Sequence, residues 1–397
     1  MKRLILSCTI ALLYLAMPAV QVPAQAAPAI TGEAAVLMDL DTGQVLYTKN
    51  ADRRMYPAST TKILTALTAL EQGRLEDVVT TSERASLTEG SSVYLKIGER
   101  QRLKDLLYAL MVNSGNDCAV AIAEHIAGSE EQFVDLMNDY ASRLGATHSH
   151  FANPHGLHDP QHYTTARDLA VIAREAMKNP TFRKIVATRT YTLDRPDDKR
   201  PTLLVNRNRL LWTYDGCLGV KTGYTSEASQ CLVAAAERNG QRLLSVVLKS
   251  QGPALWTDSA ALLDYGFMNF PRVMLVRAGQ EIGEIPVPRG AGPLRVTAGG
   301  DFAWCLPADN RSAVSWDVRV APDLEAPVAR GEQVGTLVLR LNDRDLGHVP
   351  LKAANAVEKR RPALWMYVVP PAVLLVLLPV VRRVVRRRRS GLRLPRR

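Results

Sequence analysis

Ser59-Thr60-Thr61-Lys62 lies within the stretch Tyr56-Pro57-Ala58-Ser59-Thr60-Thr61-Lys62-Ile63-Leu64-Thr65-Ala66-Leu67. Pro57 suits the opening of a helix, and the residues after Lys62 form helices readily. Residues three apart on a helix share a face one turn apart, so the Lys62 amine comes within reach of the Ser59 hydroxyl. A serine hydroxyl is a poor nucleophile until a base takes its proton. A lysine serves as that base when burial or neighbouring positive charge lowers its pKa. The pair alone says little, because serine precedes lysine by three on many surface helices.

Two later tripeptides change its meaning. Ser114-Gly115-Asn116 follows the apolar run Leu106-Leu107-Tyr108-Ala109-Leu110-Met111-Val112, and Lys221-Thr222-Gly223 follows Gly219-Val220. The order S-x-x-K, S-G-N, K-T-G, with wide gaps, is the set found in penicillin-binding proteins and class A β-lactamases, with Gly115 where the lactamases usually carry Asp. The chain resembles the serine D-alanyl-D-alanine carboxypeptidases, the low-molecular-mass penicillin-binding proteins of peptidase family S11. The resemblance runs from about Ala34 to Val357. It takes in Asn153-Pro154-His155-Gly156-Leu157, Tyr163-Thr164-Thr165-Ala166-Arg167-Asp168-Leu169-Ala170, Asn206-Arg207-Asn208-Arg209-Leu210-Leu211 and Lys221-Thr222-Gly223-Tyr224-Thr225-Ser226-Glu227-Ala228.

The resemblance implies an α+β fold. This is the transpeptidase fold of serine β-lactamases and penicillin-binding proteins, an antiparallel sheet with a helical region, followed by a small all-β sandwich domain and a C-terminal transmembrane helix. It implies removal of the terminal D-alanine from peptidoglycan pentapeptides through an acyl-enzyme, with β-lactam antibiotics as covalent inhibitors. The implied catalytic residues are Ser59 as nucleophile, Lys62 as base and Ser114 as proton relay. Asn116, Lys221, Thr222 and Gly223 would bind substrate, and the backbone N–H groups of Ser59 and Tyr224 would form the oxyanion hole. An ammonium and a hydroxyl at Lys221 and Thr222 suit a free terminal carboxylate. No cofactor or metal enters such a mechanism. The sequence departs from the family at Leu255-Trp256, where many relatives carry a basic residue before phenylalanine. Arg209 is a candidate to replace that charge.

The two ends read as membrane-directed. Met1-Lys2-Arg3, the apolar run from Leu4 to Val20 and Ala24-Gln25-Ala26 form a secretory signal over residues 1–26, cleaved or retained as an anchor. Ala363 to Val381 carries no charge and as a helix spans about 28 Å, close to a bilayer's hydrocarbon thickness. Nine arginines and no acid follow in residues 382–397, which makes that tail cytoplasmic by the positive-inside rule. The expectation is a single-pass cell-membrane protein with its catalytic domain outside the cytoplasm. Of the formal charge of +11, two charges lie in Lys2-Arg3 and nine in the tail, so residues 4–381 sum to zero. Nothing in the body of the chain favours nucleic acid.

Between the ends, Ala34–Asp39 and Gln44–Thr48 flank the turn Asp41-Thr42-Gly43 as a hairpin. Helices are expected over Ser59–Glu71, Leu103–Met111, Asn116–Ala127 with Gly128 as stop, Gln132–Leu144, Ala166–Met177 with Thr165 as N-cap, and Trp256–Gly266. Cys217–Lys221, Gln230–Ala236 and Leu243–Leu248 read as strands, the last two joined at Asn239-Gly240. A catalytic domain over residues 30–268 is then followed by short β-type runs over 270–357, at Val273–Val276, Glu284–Val287, Leu294–Val296 and Thr336–Leu339.

His148, His150, His155, His158 and His162 cluster, which raises zinc as a rival chemistry. Their irregular spacing and the absence of H-E-x-x-H favour surface-loop histidines. Cys118 reads as a buried thiol, and a Cys217–Cys231 bridge is an open option. The rival readings are a β-lactamase, which needs a carboxylate to activate the deacylating water, and a non-catalytic wall-binding protein, which needs none of the motif residues.

Overall fold

The computed structural model describes residues 26–195, 200, 202–307, 313–342, 344–361 and 377–386. Their contacts divide the chain into two units, one running to Arg272 and the other starting at Val273, with the stretch from Cys305 returned to the first. The expected signal segment, up to residue 25, and most of the apolar segment and arginine tail lie outside the described residues. Among the described residues no helix is long and apolar enough to cross a membrane.

The first unit is built on a five-stranded antiparallel sheet: β1 (Ala34–Asp39), β2 (Val45–Lys49), β3 (Cys217–Thr225), β4 (Ser229–Arg238) and β5 (Gln241–Ser250), in the order β2-β1-β5-β4-β3. All six residues of β1 are buried. Side chains of a strand alternate between its faces. Ala34, Val36 and Met38 enter the core under the main block of helices, while Ala35 and Leu37 enter a second core on the opposite face. Strand β4 divides in the same way, Val233 and Ala235 against Leu232, Ala234 and Ala236. The expectation of one helical cover was therefore incomplete. The last helix of this unit, Ala254–Asn269, packs Leu255, Leu262 and Leu263 onto the far face. Asn239 and Gly240 both have positive φ, 51° and 76°, as a tight two-residue hairpin requires.

The helical block contains α1 (Lys62–Gln72), α2 (Asn116–Ala127), α3 (Glu130–Arg143), α4 (Ala166–Ala176) and α5 (Pro180–Ala187). Helix α2 ends at Gly128 in the left-handed conformation. Helix α4 begins where the Asp168 amide donates to Thr165 Oγ1 at 3.0 Å. Helix α5 was not anticipated, although Asn179-Pro180 announces it. Asn179 Oδ1 accepts from the amides of Thr181 and Phe182, and proline suits the first turn. The helix expected over Leu103–Met111 is α only as far as Tyr108. It widens into a π turn at Ala109–Asn113 and stops at Ser114, whose φ is +70°.

The second unit holds another five-stranded antiparallel sheet, in the order Glu281–Ile285, Leu294–Ala298, Arg344–Ala353, Gln333–Leu341, Val314–Val320. Leu294, Val296, Leu337, Leu339, Val349 and Leu351 form its core. The strands at Val314–Val320 and Arg344–Ala353 were not expected, the first despite the alternation of Val314, Trp316, Val318 and Val320.

Candidate active site

The chain enters α1 through a 3-10 turn, Ala58–Thr61. Thr60 Oγ1 donates to the Pro57 carbonyl and Thr61 Oγ1 to that of Ala58, at 2.6 and 2.9 Å. These bonds hold Ser59 at the tip, part-exposed, while Lys62 opens the α-helix fully buried. Lys62 Nζ lies 2.9 Å from Ser59 Oγ, 2.7 Å from Asn116 Oδ1 and 2.7 Å from the His155 carbonyl oxygen. Burial pushes its pKa well below the ordinary lysine value, and the charge of Lys221 adds to the shift.

Asn116 is the first residue of α2, and its amide nitrogen donates to the Glu89 carbonyl at 2.6 Å. That contact commits one of the two protons on this nitrogen. Ser114 is 3% exposed at the end of the π turn. The residue that caps α2 is Gly115, so Ser114 has no capping role there. Asp117, unremarked in the sequence, accepts from Ser92 Oγ and from the amides of Val93 and Leu95, which pins the preceding loop against α2.

Strand β3 is the edge of the sheet and closes the other side. Lys221 is 2% exposed and donates to the Thr222 carbonyl at 2.9 Å. Its pKa is lowered to about 7, by burial first and by the charge of Arg207 second. Gly223 has a tighter task than leaving room for substrate. A Cβ there would sit 2.9 Å from the Ser59 nitrogen and 3.0 Å from the Pro57 oxygen, so glycine is what allows β3 to lie against the serine turn. The Tyr224 side chain is exposed.

Arg207, which the sequence reading did not single out, and Arg209, the candidate it named, lie in different surroundings. Asn206 and Asn208 are buried. Asn206 Nδ2 donates to the Thr188 carbonyl, and the Asn206 and Asn208 side-chain oxygens accept from the Asn208 and Leu210 amides. Two buried asparagines turn the arginine between them outward. Its charge acts on both Lys62 and Lys221, and it donates to Ser91 Oγ at 3.2 Å. Arg209 instead lies over the Trp256 ring. Leu255 is buried under the far face of the sheet. The N-x-N pattern around Arg207 was the available signal.

The histidines also need correction. His148, His150 and His158 are exposed, but His155 and His162 are buried. His162 Nδ1 accepts from the Ala152 amide, so its Nε2–H donates to Thr61 Oγ1 at 2.8 Å. Burial lowers its pKa to about 3, so this neutral ring supports the serine turn at any ordinary pH. Gly156 follows His155 with φ +87°, and a Cβ on it would fall 1.9 Å from the Ala58 oxygen. Among the described residues no group of three or more His, Cys, Asp or Glu side chains is placed to hold a metal ion. Cys118, Cys217, Cys231 and Cys305 are free thiols, so the optional Cys217–Cys231 bridge does not form.

Comparison with known proteins agrees with this geometry. Residues 21–252 match the family model described as D-alanyl-D-alanine carboxypeptidase, and residues 270–359 match that of the C-terminal domain of penicillin-binding protein 5. The chain is 36% identical over 335 residues to the D-alanyl-D-alanine carboxypeptidase DacF of Bacillus subtilis, covering 82% of this chain and 86% of the relative. Its structure resembles penicillin-binding protein 5 from Haemophilus influenzae, with a TM-score of 0.71 and 35% identity over 84% of this chain and 99% of that one. It also resembles a Streptomyces K15 DD-transpeptidase variant, with a TM-score of 0.58 and 37% identity over 61% of this chain and 99% of that one.

The lowered pKa of Lys221 makes a pH signature. Lys221 holds its charge below pH about 7 and loses it above. If it grips an anionic group, KM for a substrate with a free carboxylate rises as pH increases through that range, while KM for the matching amide stays flat. Steady-state kinetics on the two substrates between pH 6 and 9 check this.

Proposed function

The chain belongs to the D-alanyl-D-alanine carboxypeptidase family, and we propose from that premise how its residues divide the reaction. It is a serine hydrolase that removes the terminal D-alanine from peptidoglycan pentapeptides, and β-lactams acylate it as covalent inhibitors. One observation carries the assignment of the site: a fully buried Lys62 whose amine lies 2.9 Å from Ser59 Oγ and 2.7 Å from each of two carbonyl-type oxygens.

An ammonium has three N–H donors, whereas a neutral amine has two and a lone pair. When Lys62 is neutral, its two protons satisfy Asn116 Oδ1 and the His155 carbonyl, and the lone pair is left for the Ser59 hydroxyl. Ser59 Oγ attacks the carbonyl of the penultimate D-alanine as Lys62 takes its proton. The oxyanion is held by the N–H groups of Ser59 and Tyr224. Collapse breaks the peptide bond. The proton travels from Lys62 by way of Ser114 to the leaving amine, and D-alanine departs. Water then attacks the Ser59 ester with Lys62 again as base, which frees the shortened peptide and returns the proton to Ser59. Lys221, Thr222 and Arg207 receive the terminal carboxylate, so Arg207 stands in for the basic residue missing at Leu255. Gly223 holds the strand that carries these groups against the serine turn.

The rest of the chain places this chemistry at the wall. Residues 1–26 export it, residues 30–268 perform catalysis, residues 270–357 act as a spacer, residues 363–381 cross the membrane and residues 382–397 stay in the cytoplasm. The uncharged stretch from Ala363 to Val381 and the nine arginines after it support this arrangement.

Two outcomes are expected. A fluorescent penicillin labels Ser59 and the protein releases D-alanine from a pentapeptide. Ser59→Ala abolishes both, and label mapped to another serine contradicts the assignment. In spheroplasts, protease added outside digests the first unit and spares a tag placed after Arg397, while a chain ending at Arg361 is soluble and active. Cleavage of that tag from outside contradicts the topology.

A further inference from the structure

Behind the His155 carbonyl lies a buried charged group that the reaction above does not use. His155 Nδ1 accepts from the Leu157 amide at 3.2 Å, which leaves the proton of a neutral ring on Nε2. That nitrogen faces Glu130 Oε1 at 3.5 Å, and Glu130 Oε2 pairs with Arg84 at 2.8 Å. The His155 and Glu130 side chains are 9% and 11% exposed. Burial keeps the histidine's pKa below its ordinary value, with Glu130 opposing that shift, while His155 and Arg84 help hold the Glu130 carboxyl below its own. The residue before His155 is held to α1, where Thr65 Oγ1 donates to the Pro154 carbonyl at 2.6 Å. Gly156 must approach the Ala58 carbonyl closely, and the Asn153 side chain gathers the amides of His155 and Gly156 at 3.3 and 2.7 Å. Phe151, four residues earlier, is tied to α3 by two hydrogen bonds with the Asn138 side chain, at 2.9 and 2.8 Å, and at His155 itself it is the imidazole that reaches α3 and meets Glu130.

We propose that Glu130 is a positioning residue of the reaction. Through the His155 ring it sets the carbonyl oxygen that takes one of the two protons of neutral Lys62, and so aims the Lys62 lone pair at Ser59. The proposal rests on the assignment of Ser59 and Lys62 made above. A displacement of the order of an ångström in a reacting group lowers rates by up to about a hundredfold, so a lost anchor two contacts from the amine is felt in the chemical step. Glu130 also sits in the first turn of α3, where a carboxylate stabilises a helix without any part in catalysis. The experiment separates these roles.

The full-length protein in detergent is compared with its Glu130→Gln and Glu130→Met variants. Glutamine keeps an oxygen for the His155 Nε2–H, and methionine keeps the volume but removes the acceptor. Ser59 acylation by a fluorescent penicillin, D-alanine release and the melting temperature are measured for each. We expect E130M to lower the acylation rate and kcat about tenfold or more with KM unchanged, and E130Q to restore both to within about threefold of the native protein. Equal rates in E130M and the native protein overturn the proposal, as does equal slowing of both variants. So does unimpaired acylation with a trapped acyl-enzyme in E130Q, which would make Glu130 the base for deacylation. Nitrogen NMR of the native protein gives a check that needs no variant: at pH 7 the His155 proton is expected on Nε2, and a proton on Nδ1 overturns the proposal. A native protein that takes no penicillin refutes the assignment of Ser59 instead.

Discussion

A primary amine sealed from water, beside a serine hydroxyl and two oxygens fixed on other elements, sets the terms for the first unit. Lys62 opens α1, Asn116 opens α2, and His155 lies on the loop that precedes α4. Burying an ammonium without full compensation is expensive, so the group gives up its proton instead. The second lysine, Lys221, works in the same direction by repelling a charge on Lys62. One site thus holds two buried lysines whose pKa values are both lowered, one beside the nucleophile and one on the edge strand.

The sheet makes this possible by being covered on both faces. Strand β3 is an edge strand, and its glycine lets it press against the serine turn. The small residues of α2, among them Cys118, Ala119, Ala121 and Ala123, are fully or almost fully buried and let that helix come close to its neighbours. Buried histidine and asparagine side chains then fix the loops at the mouth, alongside apolar anchors such as Phe151. His162 supports the serine turn from below, and Asn206 and Asn208 present Arg207 from the side.

Much of this was legible in the residues. The three motifs named the family, and helix ends with a chemical signature were read almost to the residue, as at Gly128 and Thr165. The unread parts are those where local pattern carries no information about what lies opposite. An imidazole in a loop rich in turn formers looks solvated until the fold brings the serine turn against it, as it does for His162. A run of apolar residues reads as one helix whether or not its last turn widens, and Ala109–Asn113 widens. Arg207 and Arg209 are two residues apart, and only the burial of the flanking asparagines decides which one faces the lysines. The bond from the Asn116 amide to the Glu89 carbonyl joins residues 27 apart, which no local pattern announces.

The state of Lys62 is the point on which the account stands, and the pH dependence of Ser59 acylation by a penicillin reads it most directly. The account predicts an acidic limb well below the ordinary lysine range, and absent from a Lys62→Met variant. A rate that keeps rising toward the ordinary lysine value of about 10.4 would mean that the amine is charged at rest, and that would contradict it.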